Sequence, residues 1–265
     1  MPIVGVICPV DGSYQPFEFC IQCHQERDKS RPCHAPIFAL KSMRDNHIHR
    51  VGAGISVSTL LSCPREVALT ERYDVYEHVM SGYNKARGSY THAMIEADQD
   101  PPDWIIRERR LYLDILGVRV TGQPDEVDTK YHVLVDYKSK DNLPLKPDPS
   151  HEYQFNAYAY LLRHGYWMDT NEKANIDIKV IGAHYLTWKT KIDKAWKKKP
   201  YPVWSDERME RALHERLQPL IEWRESGILP QCNPYQTFPG RWVCHCNKIE
   251  DQLKDRGIDV YADAQ

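Results

Sequence analysis

The stretch that most constrains this chain is residues 122–140, Gly-Gln-Pro-Asp-Glu-Val-Asp-Thr-Lys-Tyr-His-Val-Leu-Val-Asp-Tyr-Lys-Ser-Lys. Residues 132–138 alternate around Val133, Leu134 and Val135 and read as a short strand between polar ends. Residues two apart on a strand share a face, so Asp136 and Lys138 project together. Gly122 and Pro124 invite a bend. A hairpin turning there brings Asp125 beside Asp136. Two carboxylates and a lysine at one strand end suit metal-assisted phosphodiester hydrolysis: hard oxygen ligands hold Mg²⁺ or Mn²⁺, and an ammonium orients water or offsets phosphate charge. The spacing alone is common, since Asp128–Lys130 and Asp177–Lys179 repeat it in a chain that is 27% charged. Its neighbours must decide.

At 265 residues the chain can bury one sizeable core, with room for a small appended module. A net charge of −2 gives no global sign of nucleic-acid binding, so any basic surface must be local. No run approaches the roughly 18 apolar residues of a membrane span. The N-terminus lacks the basic region and apolar segment of a secretory signal. These features predict a cytoplasmic protein without membrane association, where disulfides are rare.

The eight cysteines then point to metal and fall into two sets. In the first, Cys20-Ile-Gln-Cys23 reads as a two-residue knuckle, with Cys8 and Cys33 on separate turns. Four thiolates around Zn²⁺ would let residues 1–50, which show no sustained period, fold as a small module without a core of their own. His24 and His34 are alternative ligands, and four unliganded thiols are the other reading. The second set is Cys63, Cys232, Cys244 and Cys246.

Residues 44–52 read as a polar linker, and residues 56–69 open a helix pair with Pro64 suited to a first turn. Residues 84–98 read as a helix carrying His92. Residues 104–113, 118–121 and 132–138 form an antiparallel meander. After Pro144, Pro147 and Pro149, residues 150–163 form a helix capped by Ser150, with Gln154 and Tyr158 on one face. Residues 176–187 are a further strand, and residues 205–227 a helix with a serine cap and a glycine stop. Between them, residues 189–204 mix six lysines with Trp196, Tyr201 and Trp204. Lys197, Lys198, Lys199 and Trp196 suit a track that grips single-stranded DNA; the plainer reading is a solvated loop whose tryptophans cap the core.

In order, Gly88-x-x-x-His92, Gly122-x-x-Asp125, Asp136-x-Lys138 and Gln154-x-x-x-Tyr158 resemble the RecB-like branch of the PD-(D/E)xK nucleases. Ser56-Val-Ser-Thr-Leu-Leu-Ser-Cys63-Pro-Arg resembles the N-terminal helix of that branch, whose cysteine joins a C-terminal trio around an iron–sulfur cluster. The nearest look-alikes are the CRISPR-associated adaptation exonucleases and related phage and recombination nucleases, and the likeness spans about residues 55–250.

The resemblance implies an α/β fold, a restriction-endonuclease-like core of mixed sheet flanked by helices. A cysteine-cluster segment at 229–250 completes a nuclease domain over 51–265. It implies His92, Asp125, Asp136 and the Tyr137 carbonyl as Mg²⁺ or Mn²⁺ ligands, and Lys138 as the catalytic lysine. Gln154 and Tyr158 would contact the DNA backbone or steady the site, and Glu108 would be an outer carboxylate. Cys63, Cys232, Cys244 and Cys246 would hold a 4Fe–4S cluster. The one-residue spacer in Cys244-His-Cys246 departs from the branch's pattern and leaves Zn²⁺ a competitor, with His245 an alternative ligand. The implied activity is a DNA exonuclease on single strands or ends, in a prokaryotic or phage-infected cell, with recombination or CRISPR-adaptation proteins as partners. The alternatives are a catalytically weak DNA-binding or assembly subunit and a DNA endonuclease.

Overall fold

The computed structural model describes residues 3–26, 37–48, 54–96, 100–187, 189, 195–232 and 245–260. In chain order its elements begin with β1 (Ile3–Ile7), β2 (Tyr14–Pro16), α1 (Phe17–Gln25), α2 (Ile37–Ile48), β3 (Ile55–Ser56) and a 3-10 turn (Thr59–Leu61). There follow α3 (Pro64–Arg72), β4 (Val75–His78), α4 (Val79–Glu96), β5 (Ile105–Arg107), β6 (Leu111–Ile115), β7 (Val118–Gly122), β8 (Glu126–Asp128) and β9 (Val133–Ser139). The last are α5 (Pro149–His164), β10 (Tyr166–Trp167), β11 (Val180–Leu186), β12 (Trp196–Tyr201), α6 (Asp206–Ser226) and α7 (Cys246–Asp255). The chain divides into two units, one of Met1–Gly52, Glu66–Tyr90 and His245–Gln265, the other of Ala53–Arg65 and Thr91–Cys244.

In the smaller unit β1 pairs antiparallel with β2 and parallel with β4. Val6, Phe17, Ile21, Leu40, Met43 and Val79 are buried together as an apolar cluster. The described residues among the first fifty therefore form regular elements and share an apolar core, where the sequence suggested neither. The reason is non-local: the partner strand of β1 and the cluster member Val79 both lie far along the chain. The expected linker at 44–52 begins inside α2. On α7, Gln252 mimics a strand, accepting from the Tyr76 N–H at 2.7 Å and donating to the Tyr76 carbonyl at 2.8 Å.

The larger unit holds two sheets, in strand order β12-β11-β9-β8-β5 and β10-β6-β7-β3. The expected meander is antiparallel as read, but it is shared between the sheets. The chain crosses from β5 to β6 at residues 108–110, and from β7 to β8 at residues 123–125. Both crossings have local causes. Glu108 takes a left-handed backbone, φ 47°, which few non-glycine residues adopt. Pro124 has no N–H to give a ladder. The Glu108 N–H donates to the Asp125 carbonyl at 3.2 Å and ties the two crossings together.

Helix α5 packs against β6, β7, β9, β11 and α6, and is buried almost throughout. Its cap is Asp148, not Ser150: the Asp148 carboxylate accepts the Ser150 N–H at 3.0 Å, and Pro149 fills the first helical position. Ser205 caps α6 and Gly227, φ 73°, ends it, as the sequence predicts. The stretch at 189–204, read as a DNA-gripping track or a solvated loop, contains β12, paired antiparallel with β11 along its whole length. Pairing overrides the weak strand propensity of consecutive lysines. Among the described residues no helix is long and apolar enough to cross a membrane.

Candidate active site

The site lies where the two sheets meet. On β9, Leu134 and Asp136 are buried and Lys138 follows on the same face. The Lys138 Nζ lies 2.7 Å from Asp136 Oδ2. Glu126 pairs with Val135, so Asp125, the last residue of the crossing, comes opposite Asp136. Its Oδ2 accepts the Tyr137 N–H at 2.6 Å. Asp125 is 3% and Asp136 1% exposed, and a buried charge must be compensated. One ammonium faces two carboxylates. Burial alone would lower the pKa of Lys138, but Asp136 and then Asp125 outweigh it and hold the ammonium above the ordinary lysine value.

Helix α5 supplies the neutral groups. Gln154 Nε2 donates to the Tyr158 hydroxyl at 2.9 Å. Burial, then the charges of Asp136, Asp125 and Glu108, push the Tyr158 phenol far above its usual range; the bond from Gln154 pulls the other way. Tyr158 stays a neutral phenol. It comes this close because residue 122 is glycine: a Cβ there would lie 2.9 Å from Tyr158 Cδ1. Beside them, Gln123 Nε2 donates to Glu108 Oε2 at 2.9 Å, and Arg110 Nη2 donates to Gln123 Oε1 at 2.9 Å. Glu108 thus stands as a third carboxylate near Tyr158.

The structure brings Asp125, Asp136, Lys138, Gln154, Tyr158 and Glu108 together. Tyr137 contributes its N–H, and its phenol faces Glu126; burial and that charge push it up to about 12. His92 lies on α4, its side chain outside the described residues. Hard oxygen donors, buried and carrying more negative than positive charge, fit a divalent cation such as Mg²⁺ or Mn²⁺.

The lysines of β12 do not form one track. Lys197 and Lys199 pair with Tyr185 and Ala183 and share the face of Asp136 and Lys138, while Lys198 pairs with His184 on the opposite face with Trp196. Trp204 is buried in the core, its N–H donating to Asn156 Oδ1 and its Nε1 to Glu152 Oε1.

Among the cysteines of the larger unit, Cys63 and Cys232 bring their Sγ atoms within 4.8 Å of each other. Arg65 Nη1 holds that loop through the Pro230 carbonyl at 3.0 Å. Cys246 is buried at the start of α7 in the smaller unit, and Cys244 lies outside the described residues. Cys20 and Cys23 stand on α1 rather than in a knuckle, and Cys20 packs against the apolar cluster. Cys8 follows β1 in a tight turn closed by its N–H to the Ser13 carbonyl. Among the described residues Cys8, Cys20 and Cys23 are not drawn into one group. Cys33 lies outside them.

Sequence reasoning missed the surroundings of Lys138: His151, Phe155, Tyr185 and Tyr201. One signal was available, because His151 precedes Gln154 and Tyr158 by one and two helical turns on the same face. The other three depend on strand pairing that the sequence does not display.

A buried carboxylate pair beside a lysine, placed at a sheet crossing and backed by neutral donors from a helix, defines a metal-dependent nuclease type of site. The profile of the PD-(D/E)XK nuclease superfamily matches residues 97–246, more than half of the chain, and the chain belongs to that superfamily. The match contains Asp125, Asp136, Lys138, Gln154 and Tyr158. A search of curated proteins found no match. Among solved structures, the crystal structure of SSO0001 is similar, at 18% identity and a TM-score of 0.48, over 68% of this chain and 84% of that one.

Proposed function

We propose that the protein is a divalent-metal-dependent deoxyribonuclease of the RecB-like branch, acting as an exonuclease on single-stranded DNA or DNA ends. The observation that carries this reading is the buried Asp125–Asp136–Lys138 group. Asp125 and Asp136, with His92 and the Tyr137 carbonyl, would hold Mg²⁺ or Mn²⁺. A bound ion lowers the pKa of water and neutralises charge on the scissile phosphate. Lys138, held positive, offers a fixed point charge to the phosphate. Gln154 and Tyr158 offer neutral hydrogen bonds to the DNA backbone, and Glu108 braces Gln123.

The test is incubation of purified protein with end-labelled linear and circular single-stranded DNA and Mn²⁺, with and without EDTA. Short products from linear DNA alone, abolished by EDTA, are expected. Cleavage of the circle would make the enzyme an endonuclease, and no cleavage of either would leave a DNA-binding or assembly subunit. The order of its motifs resembles that of the CRISPR-associated adaptation exonucleases, which suggests recombination or adaptation proteins as partners. Cys63, Cys232, Cys244 and Cys246 are proposed to hold a 4Fe–4S cluster, with Zn²⁺ the competitor, and Cys8, Cys20, Cys23 and Cys33 a structural Zn²⁺.

A further inference from the structure

Lysine is among the most mobile of side chains, yet a reacting centre depends on orientation to within about an ångström. Asp136 gives Lys138 a charge partner but does not account for its surroundings. Four aromatic side chains line them. The Phe155 ring centroid is 5.7 Å from Nζ. Tyr185 is the register neighbour of Lys138 across the parallel β9–β11 pair. Tyr201 and His151 both pack on that Phe155 ring, on either side of Tyr185.

These rings are locked to one another. His151 stacks on Phe155 at 5.7 Å and lies 5.6 Å from the Tyr185 ring, and Phe155 meets Tyr201 edge-on at 5.1 Å. A chain of hydrogen bonds runs through them. The Asp148 N–H, which can only donate, gives to the Tyr201 hydroxyl at 2.9 Å. The Tyr201 and Tyr185 hydroxyls are 2.6 Å apart, and Tyr185 is 2.6 Å from His151 Nδ1. Buried polar groups hold such geometry firmly, because breaking any link leaves a partner unsatisfied. The chain begins at the cap residue of α5 and ends on α5 itself, so it fixes strands β11 and β12 to the start of the helix that carries Gln154 and Tyr158.

We propose that His151, acting through the Tyr185–Tyr201 hydroxyl pair, is a positioning residue for Lys138, forming the wall that keeps the ammonium on Asp136 and aimed at the scissile phosphate. The inference rests on the nuclease reading above and extends it to groups that touch neither metal nor substrate. Burial, with Lys138 nearby, keeps His151 neutral, which suits a group packed beside an ammonium.

The experiment compares wild type, His151→Leu, His151→Asn and Tyr185→Phe in Mn²⁺-dependent cleavage of single-stranded DNA, together with crystal structures of the variants. Asparagine can offer an amide group near the Nδ1 position, so it preserves the link that leucine removes. His151→Leu should lower kcat on the order of 10²-fold with KM for DNA unchanged, the scale of a misplaced reacting group. His151→Asn should restore most of that loss, and Tyr185→Phe, which keeps its ring, should lower kcat in the same direction. In the His151→Leu crystal Lys138 should leave Asp136, and in His151→Asn it should stay. Unchanged kcat in His151→Leu and Tyr185→Phe would overturn the inference, as would a loss that asparagine does not rescue. If wild type cleaves nothing, the nuclease reading fails by itself, and the Lys138–Asp136 contact in the variant crystals decides: a lysine that stays in place overturns the positioning role.

Discussion

The Asp125 carboxylate accepts the backbone N–H of Tyr137, one residue past Asp136, at 2.6 Å. One oxygen of a proposed metal ligand is thus engaged in holding the neighbouring strand in register, so the same residue would serve both fold and the proposed chemistry.

The two roles can be separated. Asp125→Asn keeps an acceptor for Tyr137 and removes the charge, so cleavage should fall below detection while urea denaturation shifts little. Asp125→Ala should lose activity and also cost about 1–3 kcal/mol, because a buried N–H is left without its partner. Cleavage by Asp125→Asn at the wild-type rate would remove this residue from the site.

Gly122 should not tolerate a side chain. A Cβ would lie 2.9 and 3.1 Å from Tyr158 Cδ1 and Cε1, and 3.5 Å from Val57 Cγ2. The Tyr158 ring is buried, so relief must come from moving packed atoms. Gly122→Ala should destabilise the protein by about 1–3 kcal/mol in chemical denaturation, and should slow cleavage because the Gln154–Tyr158 pair shifts with the ring.

Acid should destabilise the fold partly through His151. Burial first, then Lys138 and Lys140, depress its pKa in the folded state, with Asp148 opposing. Below the ordinary histidine value near 6.5 the unfolded chain takes up a proton that the folded chain refuses, so stability falls as pH drops, by about 1.4 kcal/mol per unit from this group. Asp148 is depressed too, despite its burial, by its hydrogen bonds from Ser150, but its contribution is lost only in the lower carboxylate range. Unfolding free energies near pH 7 and pH 5 should therefore differ more for wild type than for His151→Asn. Equal differences would show that His151 is not held neutral.

The two faces of β12 should behave differently toward DNA. Lys197 and Lys199 share the face of the site, and Lys198 does not. Replacing Lys197 and Lys199 with alanine should weaken single-strand binding and flatten its salt dependence by about 1.4 on a log–log plot, at ~0.7 per phosphate contact. Lys198→Ala should leave the slope unchanged. Part of the Lys199 effect would be structural, because its Nζ also donates to the Leu145 carbonyl at 2.8 Å. Lys197→Ala alone provides the cleaner number.

The two cysteine sets should carry different metals. Anaerobically purified protein should be brown and contain about one zinc, for soft thiolates serve both iron–sulfur and zinc sites. Cys232→Ala should remove the colour and keep the zinc, and Cys23→Ala the reverse. Colourless anaerobic protein with two zincs per chain would place Zn²⁺ at Cys63 and Cys232 as well.

Much of the site was legible because its logic is local. Asp136 and Lys138 are two apart on a strand, Gly122 and Pro124 mark the bend before Asp125, and Gln154 and Tyr158 are one helical turn apart. What stayed hidden depends on pairing between distant segments. The parallel β9–β11 register brings Tyr185 beside Lys138, and the β1–β4 pair joins the described residues of the N-terminal fifty to the cluster that includes Val79. The division of the meander between two sheets turns on Glu108, whose left-handed backbone nothing in its composition announces. The Ser150 cap was misplaced by two residues because Asp148, just ahead of Pro149, competes for the same role.

The place of β12 in its sheet carries a consequence apart from DNA. Among the described residues it is the outermost strand of its five, so one row of its backbone groups faces away from the ladder. Such an edge is a template on which a strand of another molecule can grow. Lysines at three successive positions set like charges against any approaching copy of the same edge, and Pro200 withholds a donor from it. The run Lys197-Lys198-Lys199-Pro200 would thereby disfavour edge-to-edge pairing of two copies, whether or not a nucleic acid is bound.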